Sequence, residues 1–143
     1  MVTVEADVDA VERRLAAGEL NCPACAGVLA GWGHARPRQL RGPGGTLQLC
    51  PRRSRCTGCG MTHVLLPVTA LLRRADTAAV IVSALAAKAV RREGFRQIAA
   101  ALARPAETVR GWLRRFAERA LAVRSTFTVW LRAVDADPVM PEP

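Results

Sequence analysis

The amino-acid sequence predicts an α+β fold, in which a small cysteine-rich module of short strands precedes an all-α domain. Two Cys-x-x-Cys pairs, Cys22/Cys25 and Cys56/Cys59, are separated by 30 residues in the first half of the chain. Short runs between them alternate polar and apolar residues, as strands do. Beyond residue 76, apolar residues recur at spacings of three and four, which is typical of helices. The expected segments are an acidic helical arm (1–19), the cysteine module (20–67), a helical domain (68–134) and a disordered, proline-rich tail (135–143).

The first segment combines acidic residues with helical spacing. Val11 and Leu15 are four residues apart, Asp9 is a candidate cap, and Gly18 is a candidate stop. These features predict a helix over 9–17 on a solvated arm. The alternative is that its acids cover a basic surface of the chain when no polyanion is bound.

The two Cys-x-x-Cys pairs predict a metal site. Each pair can form a tight turn whose backbone amides help to hold thiolates, and two such turns supply the four tetrahedral sulfur ligands of zinc. Strands are expected over 28–32, 37–40, 46–49 and 64–66, with a glycine-rich turn between the second and third. We therefore expect the N-terminal module to be a zinc ribbon with four cysteine ligands. Its one structural Zn²⁺ would be bound by Cys22, Cys25, Cys56 and Cys59.

Other uses of these residues stay open. An iron–sulfur cluster and a redox dithiol pair are alternatives for the four cysteines, although nothing in the neighbouring sequence indicates electron transfer. Cys50 is the odd thiol and is expected to be a small buried strand residue. His63 is expected to form a hydrogen bond or contact phosphate, because four cysteines already complete a ligand set. His34 is expected in a surface loop.

The charge distribution indicates a polyanion partner. The net charge is +9, and Lys88 is the only lysine among 21 basic residues. High-GC codon usage would explain arginine in place of lysine, but it does not explain the excess of bases over acids. No acid occurs between Glu19 and Asp76, whereas that interval contains eight arginines. Such basic blocks are typical of nucleic-acid-binding surfaces.

The helical domain is expected to open with an apolar helix from Asp76 or Thr77, buried nearly all round. Two further helices follow, over about 95–103 and from Pro105 onward. The last of these separates into two stripes. Its expected core stripe comprises Val109, Trp112, Leu113 and Phe116, and its expected outward stripe comprises Glu107, Arg110, Gly111 and Arg114. A recognition helix in the DNA major groove requires this division.

We therefore expect the third helix to contact DNA. Arg110 and Arg114 are the candidates for guanine edges, with Glu107 beside them and Gly111 allowing close approach. Phosphate contacts are expected from Arg96, Arg104, Arg115, Arg52, Arg53 and Arg55. The alternative is an ordinary helical hairpin with a solvated arginine face.

The segment from Phe95 to Phe116 resembles the helix-turn-helix of bacterial repressors and transposase DNA-binding regions, through its I-A-x-x-L, P-x-x-T-V and W-L motifs. It departs from that pattern at the turn, where Ala103 replaces the usual glycine. More widely, Cys22 to Phe116 resembles an uncharacterised bacterial family that joins a zinc ribbon to a helix-turn-helix. Such proteins are often associated with mobile elements and resemble the DNA-binding front ends of insertion-sequence transposases. The resemblance implies DNA binding.

The function expected from these features is sequence-specific binding of double-stranded DNA, as a regulator or targeting factor linked to a mobile element. No catalysis is expected, because the 12 acids are scattered and form no carboxylate cluster. The alternatives are a non-catalytic accessory subunit of a transposase or recombinase, and a zinc-ribbon adaptor for protein or RNA. Residues 118–134 are expected to be helical and to cover the reader domain or form a homodimer face. A cytoplasmic, nucleoid-associated location without membrane contact is expected, because no signal peptide or membrane-length apolar run is found.

Overall fold

A computed structural model of the chain describes residues 1–135, 137 and 139. The chain divides into two compact units, Met1–Ser83, here called the sheet unit, and Ala84–Pro143, the helical unit. The elements are β1 (Val2–Val4), α1 (Val8–Ala16), β2 (Leu29–His34), β3 (Arg38–Gly42), β4 (Gly45–Leu49), β5 (Arg52–Cys56), β6 (Thr62–Pro67), α2 (Ala78–Val90), α3 (Phe95–Ala101), α4 (Ala106–Ala117) and α5 (Ala120–Val134). The tail predicted over 135–143 lies outside the described residues, apart from 135, 137 and 139.

A four-stranded mixed sheet forms the frame of the sheet unit. Its strand order is β1-β6-β5-β2, and β3 and β4 form a separate two-stranded hairpin. Strands β2, β5 and β6 are antiparallel neighbours, whereas β1 runs parallel to β6 with Val2 opposite Leu65. The hairpin is closed by Gly42 opposite Gly45, so that the predicted glycine-rich turn is confirmed.

One side of the four-stranded sheet is covered and forms the main core. Strand alternation places Leu29, Cys56 and Leu65 on this covered face, where they pack with Val11 and Leu15 of α1. The helix begins where the Asp7 side chain accepts a hydrogen bond from the Asp9 backbone at 3.0 Å. It ends at Ala16, and Gly18 follows its cap with a φ of +71°, which is favourable for glycine.

The opposite side, here called the open face, carries different chemistry. Arg53 lies opposite Val64 and Arg55 lies opposite Thr62, which places these four side chains on one surface. Arg55 and Thr62 are exposed, and Arg53 and Val64 are half-buried. Beyond Val64, Leu66 is buried in a small second core with residues of the hairpin.

The predicted fold class, a small four-cysteine zinc ribbon followed by an all-α domain, is wrong for the N-terminal half. Six strands and a helix form a larger sheet-rich unit, and the four cysteines lie within its strand region. The segment predicted to be a solvated arm is part of this unit, since β1 pairs with β6 and Val4, Val11 and Leu15 are buried. The strands predicted over 28–32, 37–40, 46–49 and 64–66 are confirmed, whereas β1 and β5 were not predicted.

Helices α2 to α5 follow the strands in the order that the sequence predicts. Helix α2 is buried along one side only, contrary to the prediction, because Val82 is 59% exposed and Val90 is also exposed. Helix α5 runs without a break through Ser125 and Thr126, and none of its residues is buried. No helix within the described part of the chain has the length and hydrophobicity that a membrane-spanning segment needs.

Candidate metal centre and nucleic-acid interface

The sulfur atoms of the four predicted ligands converge within the sheet unit. The Sγ atoms of Cys22, Cys25, Cys56 and Cys59 all lie within 4.8 Å of one another. The Cys22–Cys59 sulfur distance is 3.8 Å, and the Cys25–Cys56 distance is 3.4 Å. Four thiolates at about 2.3 Å from a central ion form a tetrahedron with edges of about 3.8 Å. The four sulfurs are therefore spaced as ligands of a single metal ion.

The two cysteine pairs have the same local backbone structure. The N–H of the residue after the second cysteine donates to the carbonyl of the first, at 2.8 Å for Ala26 and 3.1 Å for Gly60. That residue is left-handed in both turns, with φ of +59° at Ala26 and +72° at Gly60. The repeated turn aims both thiols of each pair to the same side, which brings the two pairs together.

Gly27 gives the sulfurs the room that they need. A Cβ atom at this position would lie 3.0 Å from the Cys56 sulfur and 3.3 Å from the Cys25 sulfur. Any larger residue would therefore push into the ligand cluster. The cluster thus fits a metal ion by ligand type, by spacing and by the small residue beside it.

The cluster also has unequal thiols in the absence of a cation. The Cys59 backbone N–H, 3.4 Å from the Cys56 sulfur, lowers the pKa of Cys56 to about 6. The Met61 backbone N–H acts to lower the pKa of Cys59. The Cys25 thiol, burial and the other two cysteine thiols act in the opposite direction and together raise the pKa of Cys59 to about 12. Sulfurs this close therefore share protons, and a divalent cation would allow all of them to ionise.

His63 contacts the cluster from the covered face. Its Nε2 lies 3.4 Å from the Cys22 sulfur, and both residues are buried. The Met1 ammonium donates to His63 Nδ1 at 3.1 Å, so that Nε2 carries the ring proton and donates to the sulfur. The predicted hydrogen-bonding role of His63 is confirmed.

Cys50, predicted to be buried, is exposed after β4, and His34 ends β2 instead of lying in a loop.

Strand β5 separates the three arginines that precede its cysteine. Arg52 lies on the covered side, where its Nε donates to Glu12 at 2.7 Å and its Nη1 donates to the Gly33 carbonyl at 2.8 Å. Arg53 and Arg55 lie on the open face. Arg55 is placed over the Trp32 ring, 4.9 Å from its centroid, and donates from Nε to the Gly60 carbonyl at 3.2 Å. Of these three arginines, only Arg53 and Arg55 therefore lie on the open face.

In the helical unit, α4 has the two predicted sides. Val109 and Trp112 are buried and Leu113 is half-buried, whereas Phe116, which was predicted to belong to the core stripe, is 43% exposed. Arg110 and Arg114 are exposed on the other side. Glu107, the third candidate reader, accepts from Arg110 at 3.4 Å, and Arg114 lies 3.7 Å from Glu118.

The three arginines of this unit that were predicted to contact phosphate have intramolecular contacts. Arg104 donates from Nη1 to the carbonyls of Leu102 at 2.9 Å and Ala103 at 3.1 Å. The Arg115 guanidinium lies over Gly111, where a Cβ would be 3.2 Å from Nη2. The space predicted to let α4 approach DNA is thus filled by Arg115. Arg96 lies over the Phe95 ring at 5.6 Å.

The turn between α3 and α4 has left-handed backbone despite the alanine. Ala103 has a φ of +50°. The Arg104 N–H donates to the Ala99 carbonyl at 2.9 Å, and the Ala103 N–H donates to the Ala100 carbonyl at 3.1 Å. These two bonds form the Schellman motif that commonly ends helices with glycine. The substitution therefore leaves the turn geometry in place.

Comparison with known proteins adds no family. No protein-family model, no curated protein and no solved structure matches the chain.

Proposed function

We propose that this chain binds double-stranded DNA in a sequence-dependent manner through α4. The observation that carries the proposal is the exposure of Arg110 and Arg114 on the side of α4 opposite buried Val109 and Trp112. Four residues of helix advance about 6 Å, which is nearly two base-pair steps of about 3.4 Å each. The two guanidinium groups are therefore spaced to reach base pairs about two steps apart.

The contacts that these arginines make within the chain do not oppose DNA binding. The side chains of Arg110 and Arg114 are 63% and 71% exposed, and their partners Glu107 and Glu118 are also exposed. Exposed ion pairs of this kind contribute about 0–1 kcal/mol. A guanine edge, which accepts two hydrogen bonds from one arginine, discriminates by about 1–3 kcal/mol. Loss of these exposed ion pairs is therefore a small cost beside the discrimination that a contact with guanine provides.

We propose zinc as the ion of the cysteine cluster. Four thiolates are the donor set of structural zinc sites, and they leave no coordination position for a substrate. Bound zinc would supply the cross-link between the Cys22–Cys25 turn and the Cys56–Cys59 turn. Elemental analysis should give one zinc per chain and distinguish it from iron. Cys22→Ser should lose the metal and cooperative unfolding, whereas Cys50→Ser should keep both. A metal-free chain that folds normally would contradict this assignment.

Helix α5 offers a surface for pairing two copies of the chain. Phe127 and Trp130 are exposed and pack edge to face, with ring centroids 5.5 Å apart, and Leu121 is exposed on the same helix. Exposed apolar patches mark interaction sites, and a homodimer would present two α4 helices to a two-fold DNA site. Light scattering should give a dimer mass that Trp130→Ser reduces to that of a monomer.

The resemblance to transposase front ends adds a proposed role as regulator or targeting factor of a mobile element.

Selection of bound sequences from a random duplex pool tests the DNA proposal. The wild-type chain should enrich a motif, and fluorescence anisotropy should show a preference for that motif over scrambled duplex. Arg110→Ala combined with Arg114→Ala should abolish the preference and leave salt-dependent non-specific binding. Arg132→Ala, which removes one exposed charge from α5, is the control and should keep the preference. Unchanged preference in the Arg110/Arg114 variant would overturn the proposal.

A further inference from the structure

We propose that the open face of the sheet unit binds single-stranded nucleic acid, with an unpaired base stacked at Trp32 and phosphates bound by the surrounding arginines. This activity is distinct from duplex reading by α4 and uses residues of Met1–Ser83 only. Three features of the sheet unit support it: the distribution of its charges, a hollow lined by arginines, and a groove that contains an exposed indole.

Charge is segregated within the sheet unit. Three of its acids form close ion pairs with arginines: Glu5 with Arg14 at 2.8 Å, Glu12 with Arg52 on the covered side at 2.7 Å, and Asp76 with Arg41 at 2.7 Å. In contrast, Arg36, Arg38, Arg53 and Arg55 form no ion pair with any residue that the structure describes. Four cations without internal counter-ions favour an external polyanion.

Two of these arginines line a hollow that borders the open face. The hollow has a volume of about 460 Å³, and Arg36 and Arg38 line it together with Thr62 and Val64. Within the described chain, Arg38 Nε and Nη2 are buried without a hydrogen-bond acceptor. Buried donors without partners are unfavourable, and hydrogen bonds from a guanidinium to an anionic oxygen are strong. A phosphate oxygen would supply the missing acceptor.

A second depression contains the indole. Trp32 is 52% exposed on β2, the edge strand of the sheet. It lines a groove of about 690 Å³ together with Arg55, Gly31 and the second cysteine turn. The Arg55 guanidinium is fixed over the indole by its hydrogen bond to the Gly60 carbonyl. Indole and guanidinium planes are the groups on which unpaired bases stack.

The shape of this surface favours single strands over duplex. The bases of a duplex are stacked on each other, and reading them requires an element that enters a groove. The open face is a sheet surface, and its aromatic group can stack only with a base that has left its own stack. The second cysteine turn contributes Gly58 and Gly60 to the groove, and these two positions place no side chain against a planar ring.

The test uses full-length, metal-loaded protein and fluorescence anisotropy with a short oligothymidylate. Trp32→Ala should weaken binding of this single strand about tenfold, because one stacking contact is lost. Leu47→Ala removes a similarly exposed apolar side chain from β4, outside both the groove and the hollow, and is the matched control, expected to change nothing. Arg53→Ala should lower the slope of log affinity against log salt by about 0.7. Metal content should stay at wild-type level in all three variants.

Two further comparisons keep the proposal falsifiable if Trp32→Ala perturbs the fold. Trp32→Phe retains an aromatic ring and should bind close to wild type, whereas Trp32→Leu retains only apolar bulk and should bind like alanine. Equal binding by the phenylalanine and leucine variants would overturn the proposal. So would a Trp32-dependent preference for polyglutamate or for duplex over oligothymidylate. Arg110→Ala with Arg114→Ala should leave single-strand binding intact, which separates failure here from failure of the duplex proposal.

Discussion

Arg52 donates from Nε to the Glu12 carboxylate at 2.7 Å, and this ion pair joins strand β5 to helix α1 on the covered side of the sheet. The same guanidinium donates to the Gly33 carbonyl at 2.8 Å. It also occupies the space above Gly31, where a Cβ atom would lie 2.5 Å from Nη2. Arg52 therefore stabilises the fold, whereas its neighbour Arg53 is directed to the open face.

Arg52→Ala should lower the free energy of unfolding by about 1–2 kcal/mol, because it removes an ion pair and a hydrogen bond to a carbonyl. Arg53→Ala should change stability by less than about 0.5 kcal/mol, since Arg53 has no ion pair among the described residues. Urea denaturation of the metal-loaded proteins measures both values. An equal loss of unfolding free energy in the two variants would contradict the assignment of a stabilising role to Arg52 and not to Arg53.

Gly27 is expected to be required for metal binding. Gly27→Ala should weaken zinc affinity at least tenfold, since its Cβ would lie 3.0 Å from the Cys56 sulfur. Gly44→Ala is the matched control, because a Cβ at Gly44 meets nothing within 4 Å. Competition with a chromophoric chelator measures both affinities. If Gly27→Ala bound zinc as tightly as Gly44→Ala does, the sulfurs would have to lie elsewhere in the metal-loaded protein.

His63 is expected to support the metal site from outside the ligand set. Its Nε2 lies 3.4 Å from the Cys22 sulfur, and a donor at this position stabilises the negative thiolate. His63→Leu should therefore weaken metal affinity about 10–100-fold, the usual effect of losing a group that hydrogen-bonds a ligand. His63→Gln, which can still donate, should recover part of this loss.

Cobalt substitution distinguishes this role from ligation. If His63 only donates to Cys22, the thiolate-to-cobalt absorption should keep the pattern of four sulfur ligands in His63→Leu. If the cobalt spectrum of the wild type were that of a mixed nitrogen and sulfur site, His63 would be a ligand, and the hydrogen-bonding role would be contradicted.

The sequence alone predicts what depends on local spacing. Each Cys-x-x-Cys pair forms its own turn, so that the ligand cluster could be predicted without knowledge of the sheet. Strands with alternating polar and apolar residues, such as β4, could also be predicted from the sequence. Strand β5, with the sequence RRSRC, has no such alternation until its cysteine, and it is a strand because β2 and β6 pair with it on both sides.

Long-range strand pairing also determines the partners of the charged residues, which could not be predicted from the sequence. The parallel pairing of β1 with β6 joins residues more than 60 positions apart, so that the acidic N-terminal segment reads as an independent arm. Once this segment covers one side of the sheet, Glu12 reaches Arg52 and the arginines of β5 are divided between two faces. A run of arginines in the sequence does not reveal such a division, because it depends on the register of the partner strands.

Ala103 is expected to be a site where glycine increases stability. Its φ of +50° is unfavourable for a residue with a Cβ atom, by about 1–2 kcal/mol. Ala103→Gly relieves this strain but gives the unfolded chain more freedom, worth about 0.4–1 kcal/mol. The net gain should be about 0.5–1 kcal/mol in thermal or urea unfolding. Ala100→Gly, at an exposed position within α3, is the control and should lose about 1 kcal/mol. A loss of stability in both variants would show that the turn is not left-handed at residue 103 in solution.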